Sequence, residues 1–580
     1  MIKGKEADIQ VSVWKERYRI FAMNFLFFLG PLAFIMSYCF FREGFFGSFS
    51  KINFFGGGMI MWYCILFSLV IAIFLTYAYV SYRSPKVEKG LTKESDLVGE
   101  GETFIRGAQV TEGPAKATVE IVKKDMKSSG LAPVMVAGAP YPYSLENMGM
   151  YIQGSAGSGK SQVIKQMIYD IRRRGGRDRL VIYDRKPEFL PLFYRTNDII
   201  ICPADRRHTK WDLFAEISGE QDLDGIIKSL FPDLPGTNAN DKFWIDSARG
   251  VFKGILVYLL NCARRIGRKP NMRDLVLLLA NTTSSPAKLK DILWRDNTAS
   301  YYAGSLSDAD NERATVPTSV MSTLNTYVGS FMRPEVAEPG WFSVRKWLRD
   351  PNTEGQALFL ANPAKYESNY RSYFTCILDL ALKEMISMPG DINRRTWFFI
   401  DEFGSLFRLD SIIRLLAEGR SKGACTVIGT QDKAQIKEQY KEQAETLLNN
   451  CNSKVFGRVS SFEEAEYVSK MIGVMEIERD ENDKINYSMD SRGASVSMSD
   501  STASTRREKR EAVLPPQIMN LENLAYYSKF GSGDWFKNKI PYYPWGKHEV
   551  VPEFLERPAS FFQTANIQYP NIEDYFDNER

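Results

Sequence analysis

The chain has 580 residues, which is enough for several domains with cores of their own. Its net charge is only +4, so the overall composition does not indicate a nucleic-acid-binding protein, and any basic binding surface must be local. The 7 cysteines are scattered without a C-x-x-C pair, and there are only 2 histidines. This argues against a zinc ribbon, a disulfide scaffold and a histidine-based metal centre or catalytic triad.

Two segments near the N-terminus, 20–41 and 52–82, contain no charged residue. Each provides the ~20 apolar residues that a membrane-spanning helix requires, so we predict a two-helix membrane anchor over residues 1–83. Basic residues precede the first segment and follow the second, and few lie between them. The positive-inside rule then places both termini in the cytoplasm. The alternative is a helical hairpin buried in a soluble core.

The phosphate-binding pattern G-x-x-x-x-G-K-[ST] is matched by consecutive residues: Gly154, Ser155, Ala156, Gly157, Ser158, Gly159, Lys160 and Ser161. The glycines let backbone N–H groups face phosphate oxygens, Lys160 contacts the β- and γ-phosphates, and Ser161 is a Mg²⁺ ligand. A strand-like segment precedes the motif and an amphipathic helical pattern follows it, which disfavours a chance glycine-rich turn. The motif therefore predicts binding of ATP and Mg²⁺.

The segments after this motif alternate between strand and helix patterns. A short apolar run ends at Asp184, which either helps to organise the nucleotide site or caps the next turn. Residues 222–340 carry only helical patterns. We therefore predict an α/β nucleotide-binding domain in two parts, 84–221 and 341–545, with an all-α domain inserted between them.

Two basic clusters could contact nucleic acid or could simply end helices. They are Arg172, Arg173 and Arg174, and Arg264, Arg265, Arg268 and Lys269. We interpret the first cluster as cations that offset a helix dipole. For the second, a solvated helix end is favoured over a contact with substrate.

A second nucleotide-site motif is an apolar run, 397–400, followed by Asp401 and Glu402. In this Walker B pattern Asp401 would hold Mg²⁺, and Glu402 would orient and deprotonate the attacking water. Further along, a strand pattern ends near Gln431, which is either a sensor of the γ-phosphate or an ordinary polar turn.

The C-terminal part becomes polar in two places. Residues 480–510 cannot bury enough apolar surface to order themselves, so we predict a mobile loop that could form the tip of a long hairpin. The folded domain is predicted to end near Trp545, which leaves 546–580 as an acidic tail.

The order of these features resembles the type IV secretion coupling proteins of the conjugative TraD type. The resemblance covers the chain from the first membrane segment to about Trp545. Three local phrases carry it besides the nucleotide motifs: Val181-Ile182-Tyr183-Asp184-Arg185, Trp211-Asp212-Leu213 and Ala417-Glu418-Gly419-Arg420. The tail beyond Trp545 is shorter than in the long-tailed relatives.

This resemblance implies a hexameric RecA-like ATPase in the bacterial inner membrane, with nucleotide bound between subunits. Arg420 matches the family's trans-acting arginine finger, and Gln431 matches its strand-end glutamine. Such motors pass single-stranded DNA with its attached relaxase, delivered by relaxosome proteins, to the channel of the secretion system. Contacts to the DNA backbone would suffice for that.

Two other functions fit parts of the same sequence. An FtsK-type chromosome translocase would predict more membrane segments and a C-terminal winged-helix module, and neither is visible. A platform that only docks protein substrates would not require the complete set of Lys160, Asp401, Glu402 and Arg420. The sequence therefore favours an active ATPase, while the cargo stays open.

Overall fold

The computed structural model describes residues 102–175, 177–233, 239–282, 285–311, 313–481 and 504–558. The predicted membrane anchor, residues 482–503 of the predicted loop and residues 559–580 of the predicted tail lie outside this range. No helix among the described residues is both long enough and apolar enough to cross a membrane.

The strands define a large central sheet and two small ones. They are β1 (Glu102–Gly107), β2 (Val110–Glu112), β3 (Val134–Val136), β4 (Ala139–Tyr141), β5 (Met150–Gln153), β6 (Arg179–Asp184), β7 (Ile199–Ile201), β8 (Ala357–Ala361), β9 (Thr396–Ile400), β10 (Ala424–Thr430), β11 (Ser453–Phe456), β12 (Val474–Glu481), β13 (Ser504–Glu511), β14 (Ala525–Lys529) and β15 (Trp535–Lys539).

The helices cover the central sheet and build the insertion. They are α1 (Lys116–Ser129), α2 (Lys160–Arg173), α3 (Leu190–Phe193), α4 (Gln221–Leu230), α5 (Ala239–Arg265), α6 (Met272–Thr282), α7 (Pro286–Leu293), α8 (Asn297–Tyr302), α9 (Thr315–Val328), α10 (Val344–Arg349), α11 (Arg371–Ser387), α12 (Asp410–Glu418), α13 (Lys433–Tyr440), α14 (Gln443–Asn450), α15 (Phe462–Ile472) and α16 (Pro515–Met519).

The central sheet is mixed and has the strand order β2-β15-β14-β11-β5-β10-β9-β6-β8-β7. The strands from β11 to β7 are all parallel, whereas β14 runs antiparallel to β11. The parallel strands are buried on both faces, as continuous apolar runs predict. Because their carboxyl ends share one edge, residues that follow β5, β9 and β10 come close together there.

Alternate residues of β6 show how the sheet separates two cores. Leu180 and Ile182 pack in one cluster with helix α2, and Val181 and Tyr183 pack in the other with the helical insertion. Among the described residues, every element from Gln221 to Thr353 is helical. This agrees with the predicted all-α insertion. Apolar residues at helical spacing place one face of each helix in the core, so the segment forms helices without pairing to a strand.

The predicted loop 480–510 is partly strand, and this corrects the sequence prediction. Strand β13 pairs antiparallel with β12, and β12 pairs with β1. The sequence contains little indication of strands here because the polar ribbon formed by β1, β12 and β13 has few apolar residues. Cross-strand ion pairs such as Arg507–Glu478 and Arg106–Glu476 stabilise it instead. The flanks therefore have the hairpin form that the sequence left as an option.

The predicted domain end at Trp545 is also too early. Residues 546–558 continue along the domain surface, where Val550 N donates to the Pro191 carbonyl at 2.8 Å. Arg557 is buried and donates through Nε to the Pro203 carbonyl at 2.7 Å and through Nη1 to Glu338 at 3.0 Å. Backbone bonds and polar side chains, among them Arg207 and Arg557, anchor this segment, so its few apolar residues did not reveal it.

Candidate nucleotide site

The phosphate-binding motif forms the predicted connection between strand β5 and helix α2. Gly157 and Gly159 have φ angles of +78° and +102°, a region that favours glycine. The loop is also bonded to the segments on either side of β5: Gly154 N donates to the carbonyl of Thr430 in β10, and Ser155 N donates to the carbonyl of Arg458, just after β11. The shape of the loop therefore depends on β10 and β11 as well as on its own glycines.

Lys160 extends from this loop to the Walker B pair. Its ammonium nitrogen lies 3.0 Å from Asp401 Oδ1 and 3.8 Å from Glu402 Oε2, and it also donates to the Asp401 carbonyl. The lysine is only 8% exposed. One strand, β10, separates β5 from β9 in the sheet, so these side chains meet at its carboxyl edge. The structure thus brings Lys160 to an acidic pair that lies more than two hundred positions further along the sequence.

Glu402 is held from two sides. Gln431 Nε2 donates to Glu402 Oε2 at 2.8 Å, and Arg185 Nη1 lies 3.9 Å from the same oxygen. The other carboxylate oxygen, Oε1, is buried and has no hydrogen-bond partner among the described residues. A buried oxygen without a donor is unfavourable unless a ligand or water supplies one. Gln431 therefore contacts the acidic pair, which favours the sensor interpretation over an ordinary polar turn.

Asp184 caps the next turn rather than entering the site. Its carboxylate accepts the backbone N–H groups of Glu188, Phe189 and Leu190 at 2.9–3.0 Å. Burial raises the pKa of Asp184 to about 7, although these three donors lower it. Of the two roles that the sequence left open, the contacts favour the cap.

A cavity of about 510 Å³ joins these residues. Its lining contains the glycine loop, Ser161, Asp401, Glu402 and Gln431, and also residues that the sequence did not single out as site residues: Gln162, Lys165, Arg185, Lys186, Glu188, Asn523, Leu524 and Tyr542. Arg185 could have been found, because it follows the carboxyl end of a buried strand. Asn523, Leu524 and Tyr542 carry no local pattern, since only the position of β14 and β15 brings them to the loop.

The cavity fits a nucleotide-bound Mg²⁺ rather than a metal caged by protein. Among the described residues, no group of three or more His, Cys, Asp and Glu side chains converges on one point. Magnesium usually keeps several waters and binds to one or two protein oxygens together with substrate phosphates. Ser161 and Asp401, which both line the cavity, are a suitable pair of that kind.

Comparison with known proteins identifies the family. Residues 133–540 match the family described as the type IV secretion-system coupling protein DNA-binding domain, which is well over half of the 580 residues. The chain belongs to the type IV secretion coupling protein family.

This coupling protein is a homologue of conjugative proteins. It is 27% identical over 506 residues to coupling protein TraD of Escherichia coli (strain K12), a match that covers 86% of the chain but only 65% of TraD. It is similar to the bacterial conjugative coupling protein TrwBdeltaN70 in an unbound form, with 26% identity and a TM-score of 0.64 over 80% of the chain and 100% of that structure. A structure of plasmid coupling protein TrwB with ADP and Mg²⁺ has 27% identity and a TM-score of 0.63 over 79% and 100% of the two chains.

Arg420, the candidate arginine finger of this coupling protein, lies outside the cavity. It is exposed on the short helical turn Gly419–Lys422, which precedes β10, whereas Gln431 follows the end of β10. Seven strand residues separate the two positions by about 23 Å at ~3.3 Å per residue. Asn147 Nδ2 donates to the Arg420 carbonyl at 3.0 Å. The guanidinium thus cannot serve the nucleotide site of its own chain.

The basic clusters of the coupling protein are mostly occupied by internal partners. Arg172 pairs with buried Asp198, and Arg174 pairs with Glu146 at 2.6 Å and with Asp178 at 2.7 Å. These arginines bind carboxylates of the fold, which is a stronger role than the predicted helix-dipole effect. In the second cluster Arg268 contacts Asp274 at 2.7 Å and Arg265 lies 3.5 Å from Asp296. The first cluster therefore has a role in the fold that the sequence did not predict, whereas Arg265 and Arg268 have partly exposed side chains near a helix end, as the sequence favoured.

Proposed function

We propose that this coupling protein is an ATP-hydrolysing motor that moves single-stranded DNA during conjugation. One observation carries the proposal: Lys160, at the start of helix α2, faces both Asp401 and Glu402 inside one cavity. A phosphate-binding loop opposite an acidic pair is the arrangement that NTP hydrolysis requires. The similarity to a TrwB structure that contains ADP and Mg²⁺ supports the same chemistry.

Each residue of the cavity then has a defined task. The loop N–H groups and Lys160 bind the phosphates, and Ser161 and Asp401 hold the Mg²⁺ that neutralises charge on them. Glu402, kept in place by Gln431, accepts a proton from the attacking water. Its other oxygen, Oε1, has no hydrogen-bond partner among the described residues.

The wider assembly is part of the proposal. Arg420 lies too far from its own cavity to act there, so it would complete the site of a neighbouring subunit, as in a homo-hexameric ring. The ring would be attached to the inner membrane by the two predicted spans, both termini in the cytoplasm. It would receive DNA with its relaxase from the relaxosome and pass the DNA to the secretion channel.

The deciding experiment is an ATPase assay of the full chain in detergent, with and without single-stranded DNA at low salt. We expect DNA to stimulate hydrolysis, and we expect the Lys160→Ala variant to lose both the basal and the stimulated rate. Hydrolysis that depends on Lys160 but does not respond to DNA would favour a platform for protein substrates. Hydrolysis that persists in Lys160→Ala would refute the assigned site.

A further inference from the structure

The short turn that carries Arg420 is attached to other parts of the fold through its backbone carbonyl groups. This turn, Gly419–Lys422, joins helix α12 to strand β10. Asp391 N donates to the Ser421 carbonyl at 2.9 Å, and Asn147 Nδ2 donates to the Arg420 carbonyl at 3.0 Å. The side chain of Arg420 therefore projects from a backbone that two distant segments of the chain hold in place.

We propose that Asn147 is a positioning residue for the arginine finger. Its amide fixes the backbone of Arg420, so that the guanidinium reaches the nucleotide site of the neighbouring subunit. The inference rests on the proposed function, in which Arg420 acts in trans. Asn147 is not a catalytic residue of its own chain, because it lies before strand β5, whereas the phosphate loop follows that strand.

Asn147 is itself held firmly at the amino edge of the sheet. The residue is only 5% exposed. It directly follows Glu146, whose carboxylate accepts hydrogen bonds from Arg174 and Arg395. The side chains of these three residues are buried as well. An amide that is anchored beside such a cluster can hold a surface turn, because it does not move with the turn.

The fold alone does not explain why this position carries an amide. The side-chain oxygen of Asn147, Oδ1, is buried and has no hydrogen-bond partner among the described residues. An unpaired buried acceptor is unfavourable, and an apolar side chain of similar size would avoid it. What the amide supplies in return is the donor that the Arg420 carbonyl accepts.

Strand β5 connects this contact to the phosphate loop of the same chain. Asn147 lies just before β5, and Gly154 follows β5 directly. All the residues of β5 are buried, and the strand pairs with β10 on one side and β11 on the other. The arginine finger of each chain is therefore positioned relative to that chain's own phosphate loop.

The test measures steady-state ATP hydrolysis by the full chain in detergent with single-stranded DNA. Asn147→Ala should lower kcat by about tenfold to hundredfold, since misplacement of a reacting group by about 1 Å can cost ~10²-fold in rate. KM for ATP should stay within about twofold, because the phosphate loop and the acidic pair are unchanged. Asn147→Leu, which has a similar size but no donor, should show the same loss of kcat.

The matched control is Asn261→Ala. This variant also removes an asparagine whose amide donates a hydrogen bond, here to Asp296 at 2.9 Å within the helical insertion. It should leave kcat within about twofold, because a lost side-chain hydrogen bond far from the reaction affects stability rather than rate.

A double variant and subunit mixing separate positioning from a general structural role. Asn147→Ala should cause no further loss in a chain that already carries Arg420→Ala, because residues that act as a unit are not additive. Mixtures of Asn147→Ala and Lys160→Ala chains should exceed the mean activity of the two, since some sites combine an intact loop with a positioned finger. Mixtures of Asn147→Ala and Arg420→Ala chains should not, because neither chain offers a positioned finger.

The outcomes distinguish this inference from the proposed function. A loss in Asn147→Ala no greater than that in Asn261→Ala, or a further loss in the double variant, overturns the positioning role while the phosphate site and Arg420 stand. Recovery in mixtures of the Asn147 and Arg420 variants overturns it as well. If Arg420→Ala keeps full activity while Lys160→Ala is inactive, the finger fails and the positioning role fails with it. ATP binding by Asn147→Ala that matches wild type shows that the variant is folded.

Discussion

The parallel strands of the central sheet end at its carboxyl edge and begin at its amino edge, and basic side chains pair with carboxylates at both edges. The carboxylates at the carboxyl edge line a cavity, whereas the carboxylate at the amino edge is enclosed by its partners. At the carboxyl edge, Lys160 faces Asp401 and Glu402 in an open cavity, and Glu402 Oε1 has no partner among the described residues. At the amino edge, Glu146 accepts from Arg174 through both oxygens, at 2.6 Å and 3.1 Å, and from Arg395 at 3.0 Å. The side chains of these three residues are 0%, 1% and 5% exposed.

This difference shows how to distinguish a ligand site from a structural ion cluster. A cluster whose hydrogen-bonding capacity is fully used stabilises the fold, because removal of any member leaves a buried charge unpaired. A cluster with an unpaired buried acceptor still requires a donor, which a ligand or water can supply. The amino edge also contacts the candidate arginine finger, since Asn147, next to Glu146, donates through its side-chain amide to the carbonyl of Arg420. We therefore expect the two edges to respond differently to substitution.

The largest effect is expected from Arg420→Ala. If this residue acts on a neighbouring subunit, ATP hydrolysis should fall by about 10³–10⁵-fold in steady-state assays. Arg414→Ala is a matched control, because Arg414 is a similarly exposed arginine nearby that pairs with Glu418 at 3.0 Å. It should leave the rate within about twofold.

Subunit mixing tests whether Arg420 acts between chains. Assemblies that contain both Arg420→Ala and Lys160→Ala chains include some sites with an intact lysine from one chain and an intact arginine from its neighbour. Such mixtures should regain part of the activity that each variant lacks alone. Mixtures that stay inactive would contradict action in trans.

At the carboxyl edge, Glu402→Gln should reduce hydrolysis by about 10²–10⁴-fold, because the amide cannot accept a proton from water. Nucleotide affinity should be retained, so binding and single-turnover rates are measured together. Glu188→Gln alters another carboxylate of the same cavity, one that pairs with Lys165, and should have little effect on the chemical step. Equal losses in both variants would argue against a specific role for Glu402.

At the amino edge, Glu146→Ala should lower the free energy of unfolding by about 3–5 kcal/mol, since it leaves Arg174 and Arg395 buried without their shared partner. Urea unfolding followed by tryptophan fluorescence measures the change. Glu418→Ala removes one member of an exposed pair and should cost only about 0.3–0.5 kcal/mol. A stability loss no greater than that of Glu418→Ala would show that the amino-edge cluster is not structural.

The smallest effect is expected from Gln431→Ala. One hydrogen bond to Glu402 is lost, so hydrolysis should fall by about threefold to tenfold. The comparison variant is Gln166→Ala, which removes a glutamine that bonds Asp170 on helix α2, away from the acidic pair. If Gln431→Ala equals wild type in single-turnover assays, the bond does not position the carboxylate for reaction.

The nucleotide motifs and the helical insertion could be predicted because their signals are local. A glycine loop before Lys160, an apolar strand before Asp401 and helical spacing in 222–340 are each visible in a short window of sequence. For the same reason, the sequence left the pairing of β13 only as an option and did not predict the anchored segment up to Arg557. Their stability comes from backbone pairing and ion pairs with residues that are distant in the chain.

By itself, the sequence determined which residues can bind phosphate and which can supply an acidic pair. Each of these motifs consists of neighbouring residues, so the residue types and their spacing identify it. Only the tertiary structure decided which charged side chains are paired within the fold and which face the cavity, where a ligand can bind. The order of strands in the sheet brings Glu402 to Gln431, directs Arg174 to Glu146 and carries Tyr542 to the phosphate loop. Strand order depends on the packing of the whole chain, so no local pattern contains it.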